Sequence, residues 1–259
     1  MKKQQFPILE FDANSPPVVQ AKHYLPEYLN QKCTRAVLTY FSDVVERYER
    51  IFKVNQAFKM RTEGVRPRAC YMKAGPKKEL IYVVPMPVGA PQAARVMEIL
   101  AAIGVKKFMI CGGAGTLDDC LTKDNVLIPI AAVRDEGTSY HYLPPAREVH
   151  LDPKVIESIE NTLTSIKQPF VRVKTWTTDA IFRETADKVE LRKSEGCSVV
   201  EMECAAFYSV AQHKGLTVGQ ILYAGDSVKP DEWDYRDWHD AYDQREKLFE
   251  IAVKCLLEL

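Results

Sequence analysis

From residue 35 to residue 228 the chain alternates short apolar runs with longer stretches of helical period. "RAVLTYF" (35–41) reads as the first strand. The next stretch, 42–58, has Val44, Tyr48 and Phe52 at i, i+4 and i+8, with Ser42 placed to cap it, and predicts a helix. "ACYMKAGPKKELIYVVPM" reads as a hairpin turning at Ala74, Gly75 and Pro76. A helix begins at Pro91, buries Val96, Ile99, Leu100 and Ile103, and ends at Gly104. "KKFMICGGAG" is a short apolar strand running into a glycine turn, and "NVLIPIAAV" is another buried strand. After the polar loop 134–148 come a helix over 153–166, a strand "FVRVKTWTT", a loop and helix over 179–196, a strand-to-helix unit over 198–215 and a late strand "TVGQILYAGDSV". A C-terminal helix carries Leu248, Ile251, Ala252, Cys255 and Leu256 as its buried stripe. Strands alternating with helices predict an α/β fold whose central sheet is covered by helices on both faces, with ligands beyond the carboxyl ends of the strands.

Composition narrows the class. Hydrophobic residues are 46% and charged residues 27% of 259, which suits one large α/β domain or two small ones. Residues 1–34 lack this patterning and are expected to form an extension or arm ahead of a single domain over 35–259. Lys+Arg and Asp+Glu are both 35, which argues against a broad nucleic-acid-binding face. Seven scattered cysteines with no C-x-x-C pair read as reduced thiols of a cytoplasmic protein, not a disulfide framework or metal site. No apolar stretch is long enough for a membrane span.

Four features carry candidate chemistry, and all follow strands. "CGGAG" (111–115) permits close backbone approach to an anion, or is a crowded tight turn. Glu201-Met202-Glu203 places two carboxylates around an apolar residue, a pattern that suits a sugar diol or a solvated helix start. Asp226 in "LYAGDSV" is a candidate proton donor or a turn residue. "TTDAIFRET" offers Phe182 for stacking on a planar ligand or for the core.

Taken in this order, with "PVGAPQAARVMEILAAIGVKKFMICGGAG" ahead of them, these motifs resemble the nucleoside phosphorylase superfamily over residues 35–259. The resemblance implies a three-layer α/β/α sandwich around a central mixed β-sheet that partly closes into a barrel. It implies cleavage of a nucleoside N-glycosidic bond, with phosphate as acceptor in phosphorylases and water in nucleosidases. Met202 and Glu203 match the ribose-binding pair, and Asp226, catalytic together with Glu203, matches the aspartate that protonates a purine. Val200, Glu201, Ile181 and Phe182 fall near the base, and Gly112 and Gly113 border the phosphate or water position. No cofactor is implied beyond phosphate as co-substrate. The expected partners are a nucleoside and phosphate, with no nucleic acid or membrane. Members assemble as homo-oligomers: dimers, trimers or hexamers.

Two phosphate-binding arginines of that pattern are absent. Their positions hold Val45 and Ile110. Arg61, Arg66, Arg68, Arg134, Arg183 and Arg236 are the candidate substitutes, each also readable as structural. The leading expectation is phosphorolysis of a ribonucleoside to free base and ribose 1-phosphate, purine favoured over uridine by Asp226. The alternatives are a nucleosidase using water, with Glu10 as one candidate base, and a non-catalytic nucleoside-binding protein. A dinucleotide-binding oxidoreductase lacks its G-x-G-x-x-G fingerprint. The loop 134–147, with His141, reads as a lid or as a hydrogen-bonded turn, and "DEWDYRDWHD" as a lid or a subunit contact.

Overall fold

The computed structural model describes residues 3–25, 29, 31–52, 55–60, 67–118, 120–122, 124–230 and 232–259. Among these residues its centre is a mixed sheet of eleven strands. Strands β1 (Arg35–Thr39), β4 (Glu79–Pro85), β5 (Lys107–Thr116) and β10 (Thr217–Val228) run parallel. β3 (Arg68–Ala74) and β2 (Asn55–Lys59) extend the sheet antiparallel beyond β4. On the other side β10 pairs with β6 (Val126–Asp135), β6 with β8 (Phe170–Thr178), β8 with β9 (Cys197–Glu201), and β9 again with β5. β5, β10, β6, β8 and β9 therefore form a closed circuit. The short β7 (Glu148–His150) and β11 (Trp233–Asp234) pair with β6 and β10.

Helices cover this sheet, as the alternating pattern requires. α6 (Tyr242–Glu258) lies across β1, β5 and β10 and carries α1 (Ser42–Phe52) and α3 (Pro153–Ser165). Its expected stripe from Leu248 to Leu256 is buried. α2 (Ala90–Ala102) packs on α5 (Cys204–Lys214), and α4 (Ala186–Ser194) lies on β9. Every residue of α5 from Cys204 to Ala211 is buried. A helix that is apolar or small on every side belongs inside the fold. Its Ala205, Ala206 and Ala211 and the Ala90, Ala93 and Ala94 of α2 leave room for that burial.

Three expectations are corrected. The helix predicted over 42–58 stops at Phe52, and Asn55–Lys59 is a strand at the far edge of the sheet, with Ala57 and Phe58 buried. Pairing with β3 overrides the helical spacing there. The expected glycine turn at 111–115 is extended strand, since β5 continues to Thr116 beside β10 and β9. Asp226, expected after its strand, lies within β10. The hairpin turn is as expected, with Gly75 at φ 67°. Gly104, at φ 112°, follows the last turn of α2 in a conformation that favours glycine.

Candidate active site

The two glutamates of "EMEC" have different surroundings. β8 and β9 are parallel, with Thr177 opposite Glu201, and the period-2 alternation puts Thr175 and Thr177 on one face of β8. Both hydroxyls donate to Glu201 Oε1, at 3.2 and 2.6 Å. Glu201 Oε2 accepts from the backbone N–H groups of Glu203 and Cys204, at 2.7 and 2.6 Å. These N–H groups open α5 and lack intrahelical acceptors. Glu201 is therefore a buried cap with all four contacts inside the protein. The solvated reading of this residue is corrected. Burial still raises its pKa, against the opposing effect of those hydrogen bonds.

Glu203 is 6% exposed and has fewer partners. β9 runs antiparallel to β5, with Val200 opposite Gly115, so the chain beyond Val200 heads back along the glycines of β5. There Glu203 Oε1 accepts from the N–H of Gly89, at 2.5 Å. Gly89 caps α2 at φ 107°, a backbone shape that favours glycine, and it aims the positive end of that helix at the carboxylate. Burial first, and the charge of Glu201 second, push Glu203 up to about 8. The Tyr40 phenol, just past β1, faces the same carboxylate, and burial and Glu203 together raise its own pKa well above the ordinary value. Met202, between the two glutamates, is half-buried.

Gly112 and Gly113 do not present amides from a loop. They lie in β5 under aromatic rings: a Cβ on Gly112 would sit 3.0 Å from Tyr40, and one on Gly113 3.1 Å from Tyr223. Gly115 joins the two halves of the site. A Cβ there would meet Val200 at 3.1 Å and Asp226 Oδ1 at 3.4 Å. Asp226 Oδ2 accepts from the Trp233 indole N–H at 2.6 Å. Trp233 belongs to "DEWDYRDWHD", whose rings run on through Tyr235 and Trp238 with centroids 5.7 and 6.1 Å apart. Ile181 and Phe182 form an exposed 3-10 turn, and Phe182 is 95% exposed. Two residues on, Glu184 lies near Asp226. Burial first, then the Asp226 charge, push it up to about 7, against Lys188.

The expected residues thus form two adjoining groups. Glu201, Met202 and Glu203 lie where α2 and α5 begin, and Val200 and Asp226 meet at Gly115. Sequence reading gave no site role to Tyr40, Gly89, Thr175, Thr177 or Glu184, and took Trp233 only as part of an aromatic segment. The Thr-x-Thr alternation was a local signal for two of them.

The positions of the two absent arginines are core: Val45 is 1% exposed and Ile110 fully buried. Of the candidate substitutes, Arg68 pairs with Glu49 at 2.8 Å and Arg183 is exposed. Arg236 donates to the Leu121 carbonyl at 3.4 Å. Arg134 is buried, donating to Ser139 and to the carbonyls of Leu143 and Pro144. With Glu136, which accepts from the N–H groups of Thr138 and Ser139, it folds 134–147 into a hydrogen-bonded turn that leaves His141 exposed. Arg61 and Arg66 lie outside the described residues. Among the described residues, no group of three or more His, Cys, Asp or Glu is placed to hold a metal ion, and no helix is long and apolar enough to cross a membrane.

The family model described as "Phosphorylase superfamily" matches residues 35–258. The chain belongs to that superfamily. A relative within reach by sequence is the guanosine phosphorylase of Halorubrum lacusprofundi, 26% identical over 183 residues, 66% of this chain and 73% of that protein. The superfamily fold is shared with solved structures at lower identity. AMP nucleosidase from Bacteroides thetaiotaomicron superposes with a TM-score of 0.71 at 20% identity, covering 91% of this chain and 92% of that one. Purine nucleoside phosphorylase from Toxoplasma gondii superposes with a TM-score of 0.72 at 19% identity, covering 92% and 93%. These neighbours span both phosphorylases and nucleosidases of the superfamily.

Proposed function

We propose that this protein cleaves the N-glycosidic bond of a purine ribonucleoside, with phosphate as acceptor. The observation that carries the reading is the buried Glu203, with Gly89 N–H behind it and Asp226 reached across Gly115. Glu203 accepts hydrogen bonds from the ribose diol, and Met202 supports the apolar side of the sugar. As the C1′–N9 bond breaks, its electron pair goes to the base and positive charge develops at C1′, where a fixed carboxylate lowers the barrier. Asp226 delivers a proton to the imidazole ring of the purine, so the base leaves neutral. Val200 and the Ile181–Phe182 turn border the base, and Glu201 acts by capping the helix that presents Glu203. An acceptor oxygen then bonds to C1′. The name of the haloarchaeal relative favours phosphate and a 6-oxopurine.

Water is the second reading, favoured by one observation: aliphatic core at Val45 and Ile110 and aromatic cover over Gly112 and Gly113. The same proposal places residues 1–34 as an arm on one domain, supported by Arg95 of α2 over the Tyr24 ring at 5.2 Å. It makes the enzyme a cytoplasmic homo-oligomer.

A panel of ribonucleosides, assayed for base release with and without phosphate, tests both. Phosphate-dependent release with ribose 1-phosphate as product supports the first reading, and unchanged release in phosphate-free buffer selects water. Asp226→Asn is expected to lower kcat by at least about a hundredfold while nucleoside binding persists. No release from any nucleoside under either condition overturns the reading.

A further inference from the structure

Tyr40 is a feature of this site that the superfamily pattern did not suggest. Its backbone N–H continues the β1–β5 pairing by donating to the Cys111 carbonyl at 3.2 Å, and its ring lies on Gly112, where even a methyl group would come within 3.0 Å. This fixes the phenol between β5 and Glu203. Its hydroxyl is shut off from solvent and makes no well-formed hydrogen bond. It lies beside the Glu203 carboxylate. Beyond burial, the charge of Glu203 and a weak hydrogen bond between the two raise the phenol's pKa and that bond lowers the carboxyl's, while full hydrogen-bond geometry is not reached. A buried hydroxyl left unpaired costs stability, and such groups are uncommon. A fold that keeps one beside an active-site carboxylate is holding a donor in reserve.

The other groups that face Glu203 are Glu201 at the end of β9, the Met202 backbone N–H, the neutral Cys204 thiol at the start of α5 and the Gly89 N–H of α2. Glu201 disfavours the carboxylate, and the two backbone N–H groups already lower its pKa. A carboxylate that must accept from two sugar hydroxyls works only when ionised, and a hydrogen bond from a neutral donor favours that form.

We propose that Tyr40 is a positioning residue of this site: when Glu203 ionises, the Tyr40 hydroxyl donates to that carboxylate and holds it in the charged form that accepts the ribose diol. The inference rests on the functional reading above.

Tyr40→Phe removes the hydroxyl and keeps the ring on Gly112. Three measurements on the variant and the wild type test the role: the unfolding temperature, nucleoside affinity by calorimetry, and kcat/KM from pH 6 to 9.5. Tyr40→Phe is expected to unfold at the same temperature as the wild type or higher, because the lost hydroxyl made no well-formed hydrogen bond. The acid limb of its kcat/KM profile is expected about one pH unit higher. The loss is then about tenfold at pH 7 and shrinks to within twofold at pH 9.5, and the affinity profile moves the same way. An equal loss at every pH, no loss, or a drop of several degrees in unfolding temperature overturns the proposal. A wild type that neither binds nor cleaves nucleosides overturns the functional reading and this inference with it. Turnover with a pH profile unmoved by the variant overturns the role of Tyr40 alone.

Discussion

Glu203→Gln is expected to make the protein more stable at alkaline pH and leave it little changed at acid pH. Burial and the neighbouring Glu201 lift the Glu203 carboxyl from the ordinary 4.5 to about 8. The native state therefore binds a proton between those values that the unfolded chain releases. Stability linked to this group is fully present below about 4.5 and is lost as pH rises through about 8. At 1.36 kcal/mol per pKa unit the whole rise corresponds to roughly 5 kcal/mol, an upper bound because the site relaxes when charged. A measured gain of about 1–3 kcal/mol for the glutamine variant at pH 8.5 is the reasonable expectation, about 2–10 °C in a chain of this length. The amide oxygen still accepts from Gly89 N–H, so the variant sacrifices no hydrogen bond there. Urea or thermal unfolding of both proteins from pH 5 to 9 gives the answer. A stability difference that stays constant with pH, or one that favours the wild type more strongly at pH 8.5, refutes the claim that Glu203 is held against its preferred charge.

Two further substitutions test the supports of the site. Glu201→Ala strips the acceptor from the N–H groups of Glu203 and Cys204 and from two threonine hydroxyls, and is expected to cost roughly 3–5 kcal/mol in urea unfolding; a cost under about 1 kcal/mol would contradict its role as a cap. Gly113→Ala drives a methyl group into the buried Tyr223 ring, itself packed on Phe41 at 5.9 Å, and is expected to cost about 1–3 kcal/mol by thermal unfolding, where an unchanged melting temperature would show that the ring yields freely.

Much of the architecture was legible because hydrophobic spacing is a local signal. The α6 stripe, the 68–85 hairpin and the strand preceding "CGGAG" all report their environment within a few residues. What was not legible depends on register between distant segments. The edge strand at Asn55–Lys59 exists only through its pairing with β3. Glu201 could not be told from a solvated helix-start carboxylate until Thr177 was placed opposite it on β8. Tyr40 looked like the tail of an apolar strand, and its meaning comes from Gly112 on the neighbouring strand. Trp233 lay in a segment singled out for its aromatics, but its bond to Asp226 crosses a turn that no periodicity announces.

The closed circuit of β5, β10, β6, β8 and β9 also sets an order of events in synthesis. β10 is the strand that seals it, pairing with β5 on one side and β6 on the other. Until residues 217–228 have emerged, both partners present unpaired backbone to whatever is nearby, including other nascent chains. A ribosome stalled just before this strand would display a nearly complete domain with two open sheet edges. Asp226, proposed to protonate the base, rides on that same sealing strand. The fold and the chemistry are therefore completed by one late docking event, across more than a hundred residues of sequence separation.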